Sequence, residues 1–146
     1  MNNHKYKYGI IGNGAYSALV DNKANIGWMC WPKFDSSCIF GSLLDEEKGG
    51  RFSIQPEWDS FTSSQKYIQN TNIIETIFEC EDGIYKVIDF APRFRQYERF
   101  YKPLMLVRKI IPIKGRPRIR VSCKPVGNYG EIVTKASGRR TDGSAG

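Results

Sequence analysis

The chain has 146 residues, 40% of them hydrophobic and 13% aromatic, with 14 Gly, 7 Pro and a formal net charge of +7. That length suits one domain around a single core, and the aromatic and turn-forming content favours many short strands over a helical bundle. No run of about 18 apolar residues occurs, so no membrane span is expected, and the N-terminus, MNNHKYKYGII, lacks the layout of a secretory signal.

In chain order, short apolar and β-branched runs predict strands over 7–11, 17–20, 26–30, 51–54, 66–69, 73–80, 84–90, 104–111 and 118–124. One short helix is predicted over 37–44, with Ser36 or Ser37 as N-cap. Glu81-Asp82-Gly83 reads as a hairpin turn in which Gly83 supplies positive φ, and Lys114-Gly115 reads the same way between the last two long strands. The final strand alternates most clearly: Ile119, Val121 and Cys123 on one face, Arg118, Arg120, Ser122 and Lys124 on the other. Such alternation predicts one face on a core and one in water, as in an antiparallel sandwich. The sandwich domain is expected over 1–133. Residues 134–146, TKASGRRTDGSAG, carry no apolar periodicity and read as a flexible tail, a scar or a truncated reading frame.

Gly12-Asn13-Gly14-Ala15-Tyr16-Ser17 follows an apolar run and invites comparison with a dinucleotide-binding loop. That chemistry needs a helix whose N-terminus faces the pyrophosphate. Only residues 15–20 could form one before Asp21-Asn22, so a glycine-rich turn between adjacent strands is the better account. The four cysteines, Cys30, Cys38, Cys80 and Cys123, show no C-x-x-C spacing, and His4 is the lone histidine. No metal site or cofactor is expected, and reduced buried thiols fit a cytoplasmic protein.

Trp28, Trp31 and Phe34 lie close together, with Asp35 and Ser36 beside them. Flat rings next to a carboxylate suit a sugar-facing or inter-domain surface, and Pro32 should end the strand and push residues 34–36 into a loop. In regular strand geometry Trp28 and Cys30 share one face, Met29 and Trp31 the other. The alternative is structural: Trp28 in the core and Asp35 helping to cap the helix. Trp31 and Asp35 are the stronger candidates for an outward role.

The order Gly-Asn-Gly, Trp-Met-Cys-Trp-Pro and Phe-Asp-Ser within residues 8–44 resembles the opening of the family 15 glycoside hydrolases, the glucoamylase and trehalase-like enzymes. Further matching segments run in the same order, among them Gly49-Gly50-Arg51-Phe52, Val87-Ile88-Asp89-Phe90-Ala91-Pro92-Arg93 and Leu106-Val107-Arg108, so the likeness extends from about Tyr8 to Gly130. It implies an all-β antiparallel sandwich of supersandwich type, which in full-length relatives precedes an (α/α)6 catalytic barrel carrying a general-acid and a general-base glutamate. Inversion needs those carboxylates about 6.5–9.5 Å apart. The resemblance covers none of that barrel, so it assigns no catalytic residue here. Within the chain, Asp45, Glu46 and Glu47 read as an exposed turn, Glu75 and Glu79 as residues of a sheet face without visible partners, and Asp89 as a strand-end acceptor of backbone hydrogen bonds.

Charge is uneven. Residues 93–124 hold 11 Lys/Arg and one acid, Glu98, whereas residues 1–92 hold 8 basic and 12 acidic side chains. Arg93, Arg95 and Arg99 interleave with Tyr97, Phe100 and Tyr101, and Arg118 and Arg120 follow. Such a basic patch could pair with phosphates and stack on bases of single-stranded nucleic acid. With no nucleic-acid motif in the chain, a solvated face, or a patch that meets an acidic neighbouring domain, is the better account. The chain is thus read as the non-catalytic lead domain of a glucoamylase- or trehalase-type hydrolase. Its expected partners are the catalytic barrel and, through the 31–36 loop, an α-glucan or glucoside. An inter-domain face left open could drive self-association. The alternative is a stand-alone module binding carbohydrate or nucleic acid.

Overall fold

The computed structural model describes residues 7–128 and 132–133. Their regular structure is strand: β1 Tyr8–Gly12, β2 Ser17–Asp21, β3 Asn25–Cys30, β4 Cys38–Phe40, β5 Arg51–Pro56, β6 Phe61–Tyr67, β7 Ile74–Cys80, β8 Gly83–Phe90, β9 Phe94–Gln96, β10 Arg99–Tyr101, β11 Val107–Gly115, β12 Ile119–Lys124, β13 Val126–Gly127 and β14 Ile132–Val133. One sheet has the order β1-β2-β3-β5-β12, with β4 also on β3. The second runs β11-β8-β7-β6, and β9–β10 and β13–β14 form separate two-stranded ribbons. Pairing among the described strands is antiparallel throughout.

Inward residues of the two sheets interleave, which makes this the expected sandwich. Ile11, Tyr16, Ala18, Val20, Ile26, Met29 and Phe40 of the first sheet and its turns close over Ile74 of the second. Ala24 and Ile54 meet Phe78, Tyr85 and Val87 in an adjoining cluster. Each large apolar side chain so buried contributes about 1.5–3 kcal/mol.

A charged pair crosses this core. Asp89 is fully buried and the Arg108 side chain is 2% exposed. Arg108 donates through Nε to Asp89 Oδ1 at 2.7 Å and through Nη2 to Oδ2 at 3.1 Å. It also donates to the carbonyls of Phe52 in the opposite sheet, at 2.6 Å, and of Ala24 in the β2–β3 turn, and its guanidinium lies 4.7 Å from the Phe52 ring centroid. Burial pushes the Asp89 carboxyl above its ordinary range, and Arg108 pulls against that shift. The partner of Asp89 is therefore a guanidinium from a neighbouring strand, not the backbone amides expected of a strand end.

Several expectations need correction. The segment 37–44 is not a helix: Cys38 and Phe40 point into the core from β4, and the chain then enters a turn. Its amides bond to distant partners, Gly41 to Gly49 O and Leu43 to Gly27 O, and pairing with β3 outweighs a helix too short to stand alone. Strand 66–69 begins earlier, at Phe61, because polar Thr62, Ser63 and Ser64 are recruited by register with β7. Strand 104–111 starts and ends later, as β11. β4 and the β9–β10 ribbon carried no predicted strand. The β7–β8 hairpin is as expected, with Cys80 opposite Gly83. A Cβ on Gly83 would collide with Lys114 O, so glycine is required there by close approach. Gly115 has φ +69, yet β11 and β12 do not form a hairpin; they enter different sheets. On β12 the alternation does not mark burial, for Ile119 is half-buried while Val121 is 54% exposed and Cys123 is exposed. The tail over 134–146 lies outside the described residues.

Candidate functional site

The Gly-Asn-Gly segment joins β1 to β2 with Gly12 opposite Ser17, a turn between neighbouring strands as predicted. Its organiser is Asn13, 3% exposed. Asn13 Oδ1 accepts from Ala15 N at 3.0 Å, closing the turn on itself. Asn13 Nδ2 donates to Pro92 O and Pro103 O, both at 2.9 Å. One amide thereby ties the β1–β2 turn to both stems of the β9–β10 ribbon. Tyr16, fully buried, donates its hydroxyl to Met105 O at 2.5 Å, and burial raises the phenol to about 12.

Trp31 packs against Tyr16, with ring centroids 5.1 Å apart and a 60° tilt. Two register shifts at β3, against β2 and β4, break the period-2 expectation. Met29 and Cys30 are consequently both buried, Trp28 is half-buried, and Trp31 lies against the core cluster with part of its surface exposed. Beyond it the chain turns outward. Ser36 N donates to Lys33 O at 3.1 Å, and Ser36 Oγ accepts from Lys33 N at 3.3 Å. Ser36 thus braces a loop, where a helix cap was expected. Phe34 is 54% exposed and Asp35 is exposed. Behind the loop, Cys30 and Cys38 face one another with sulfurs 3.6 Å apart, and burial, then the Cys38 contact, raises the Cys30 thiol to about 11. These two thiols are buried as expected, whereas Cys80 is half-buried and Cys123 exposed.

The ribbon is aromatic and basic. Phe94 and Tyr101 meet edge to face at 5.0 Å, Arg93 lies 4.5 Å from the Phe100 centroid, and Tyr97 at the tip is 91% exposed. Arg95 and Arg99 are exposed on the same ribbon. Arg118 stands elsewhere: its amide donates to Asp82 Oδ2 at 3.3 Å, by the β7–β8 turn at the far end of β8 from Pro92, and Arg120 follows along β12. The predicted basic residues therefore fall into two groups, while Trp31 and the ribbon stems converge on Tyr16 and Asn13. Asn13 and Tyr16 were visible only as members of a glycine-rich turn, because a turn asparagine and a strand-flanking tyrosine carry no signature of their long-range partners.

The acids are engaged locally. Glu75, 9% exposed, pairs with Lys86 at 3.2 Å and Lys66 at 3.7 Å, so it does have partners. Asp45 Oδ1 accepts from Glu47 N and Lys48 N, both at 3.0 Å, which lowers its carboxyl below the ordinary range. Among the described residues no group of three or more His, Cys, Asp or Glu could hold a metal ion, and no helix is long and apolar enough to cross a membrane.

Residues 5–143 match the family described as trehalase-like, N-terminal. The chain is similar to trehalase 1 of Sulfolobus acidocaldarius, 40% identical over 124 residues that make up 84% of this chain and 19% of that protein. It is also similar to the trehalase of Thermoplasma volcanium, 34% identical over 128 residues (85% and 20%), and to that of Mycobacterium tuberculosis, 25% identical over 137 residues (84% and 20%). The chain spans about a fifth of the length of these curated relatives. No solved structure matches it.

Proposed function

We propose a function from one premise: the chain belongs to the trehalase-like N-terminal domain family. On that premise it is a non-catalytic β-sandwich of a family 15-type glycoside hydrolase, holding a separate catalytic domain that cleaves α-glucosidic bonds. Trehalose is the first substrate to test, given the names of the relatives, and maltooligosaccharides of glucoamylase type are the second. The carrying observation is the family match over residues 5–143 in a chain that spans only about a fifth of relatives called trehalases. The local engagement of Asp89, Glu75 and Asp45 supports a role outside the chemistry. The outward 31–36 loop supports a second contribution, to the rim of the neighbouring active site.

The test is a chimera in which this chain replaces the matched segment of Sulfolobus acidocaldarius trehalase 1. The chimera should release glucose from trehalose, and the isolated chain should not. Hydrolysis by the isolated chain would overturn the reading. So would amylose or oligonucleotide binding by the isolated chain together with an inactive chimera. For the rim, Trp31→Ala should raise the KM of the chimera severalfold. Loss of activity that only tracks loss of melting temperature would make Trp31 structural.

A further inference from the structure

We infer that the inner face of β12, beside the free edge of β11, is a docking edge for a further β-strand, supplied by polypeptide adjoining this domain in the longer relatives. The source of that strand rests on the family reading above; the need for it rests on register and burial.

β12 and β11 stand last in their respective sheet orders and are joined only by residues 116–118, so the described sheets are both open on one side. In an antiparallel pair, opposed residues project to the same face. Val121 lies opposite Ile54 and Cys123 opposite Phe52. Ile54 is 2% exposed and Phe52 is half-buried beneath Arg108, so this is the face turned to the other sheet. Ile119, on the same face, is covered together with Ile110 by the Phe78–Tyr85 cluster. Two residues on, Val121 is 54% exposed, and Cys123 is exposed as well. Among the described residues the facing sheet therefore stops one strand short. A strand bonded along β11 would lie about 4.8 Å further out, above Val121 and Cys123.

An apolar, alternating strand fits that place, because it would set its own inward side chains on Val121 and Cys123. A second copy of this chain fits worse. β11 carries exposed Lys109 and Lys114, and edge-to-edge pairing of two such strands brings like charges together. The matched segment, 84–85% of this chain, makes up only 19–20% of these relatives, which leaves ample polypeptide for a further strand.

Cys123 is a native reporter, with buried Cys30 and Cys38 as internal references. Iodoacetamide labelling, followed by peptide mass analysis, is run on the isolated chain and on the chimera, alongside glucose release from trehalose. Cys123 should label readily in the isolated chain and at least tenfold more slowly in the chimera. A chimera that hydrolyses trehalose with Cys123 as reactive as in the isolated chain overturns this inference and leaves the family reading standing. Protection of Cys123 in a chimera without hydrolysis overturns the reading alone, and loss of both overturns both. Concentration-dependent protection in the isolated chain, matched by dimers in sedimentation velocity, overturns the inference in favour of a second copy.

Discussion

Val87 and Val121 hold equivalent places in the pattern of this chain. Each sits in an alternating strand, on the face turned toward the opposite sheet, yet Val87 is fully buried and Val121 is 54% exposed. The difference lies in what stands across from them. Val87 in β8 is flanked by β7 and β11 and covered by Ala24 and Ile54, whereas Val121 stands on β12, the last described strand of its sheet, with more than half of its surface open. Alternation thus reports which face is inward, and only the neighbouring sheet decides whether that face is dry.

The closed region can be broken most severely at its charged pair. Asp89→Ala should cost about 3–5 kcal/mol in urea unfolding, because it leaves the Arg108 guanidinium buried without its counter-charge. A loss below about 1 kcal/mol would mean that water reaches the site and that the region is less sealed than its burial implies. The comparison itself is sharpened by truncating the two valines. Val87→Ala should cost roughly 2–3 kcal/mol through lost burial and the cavity left behind. Val121→Ala should cost less than about 0.5 kcal/mol in the isolated chain. Equal losses would show that β12 is covered after all. The smallest expected effect concerns pH. Burial favours the neutral Tyr16 phenol, whose value rises from 10.0 to about 12. Its contribution is therefore intact below pH 10 and is lost as pH climbs toward about 12, while the unfolded chain ionises first. Tyr16→Phe should flatten that part of the alkaline limb in a stability-versus-pH series. An unchanged slope would place the alkaline loss on other groups.

At the candidate site, residues 34–36 were legible as an outward loop because proline ends strands for a local reason that needs no partner. Trp31 was legible only in part. Its ring settles against Tyr16, since bulges shift the facing of the strand before it, and a bulge depends on the strands alongside. The same limit hid the helix error at 37–44: Cys38, Ile39 and Phe40 suit a helix or a strand, and β3 selected the strand.

Turn chemistry, alternation and the ordered motifs depend on the chain's own covalent order, so the antiparallel sandwich and the family could be read before any coordinates. The Asn13 clasp, the Asp89–Arg108 pair and the open Val121 and Cys123 on the inner face of β12 are contacts, or missing contacts, between separate segments of the chain. A one-dimensional pattern encodes no such distances, and only packing of the two sheets decided them.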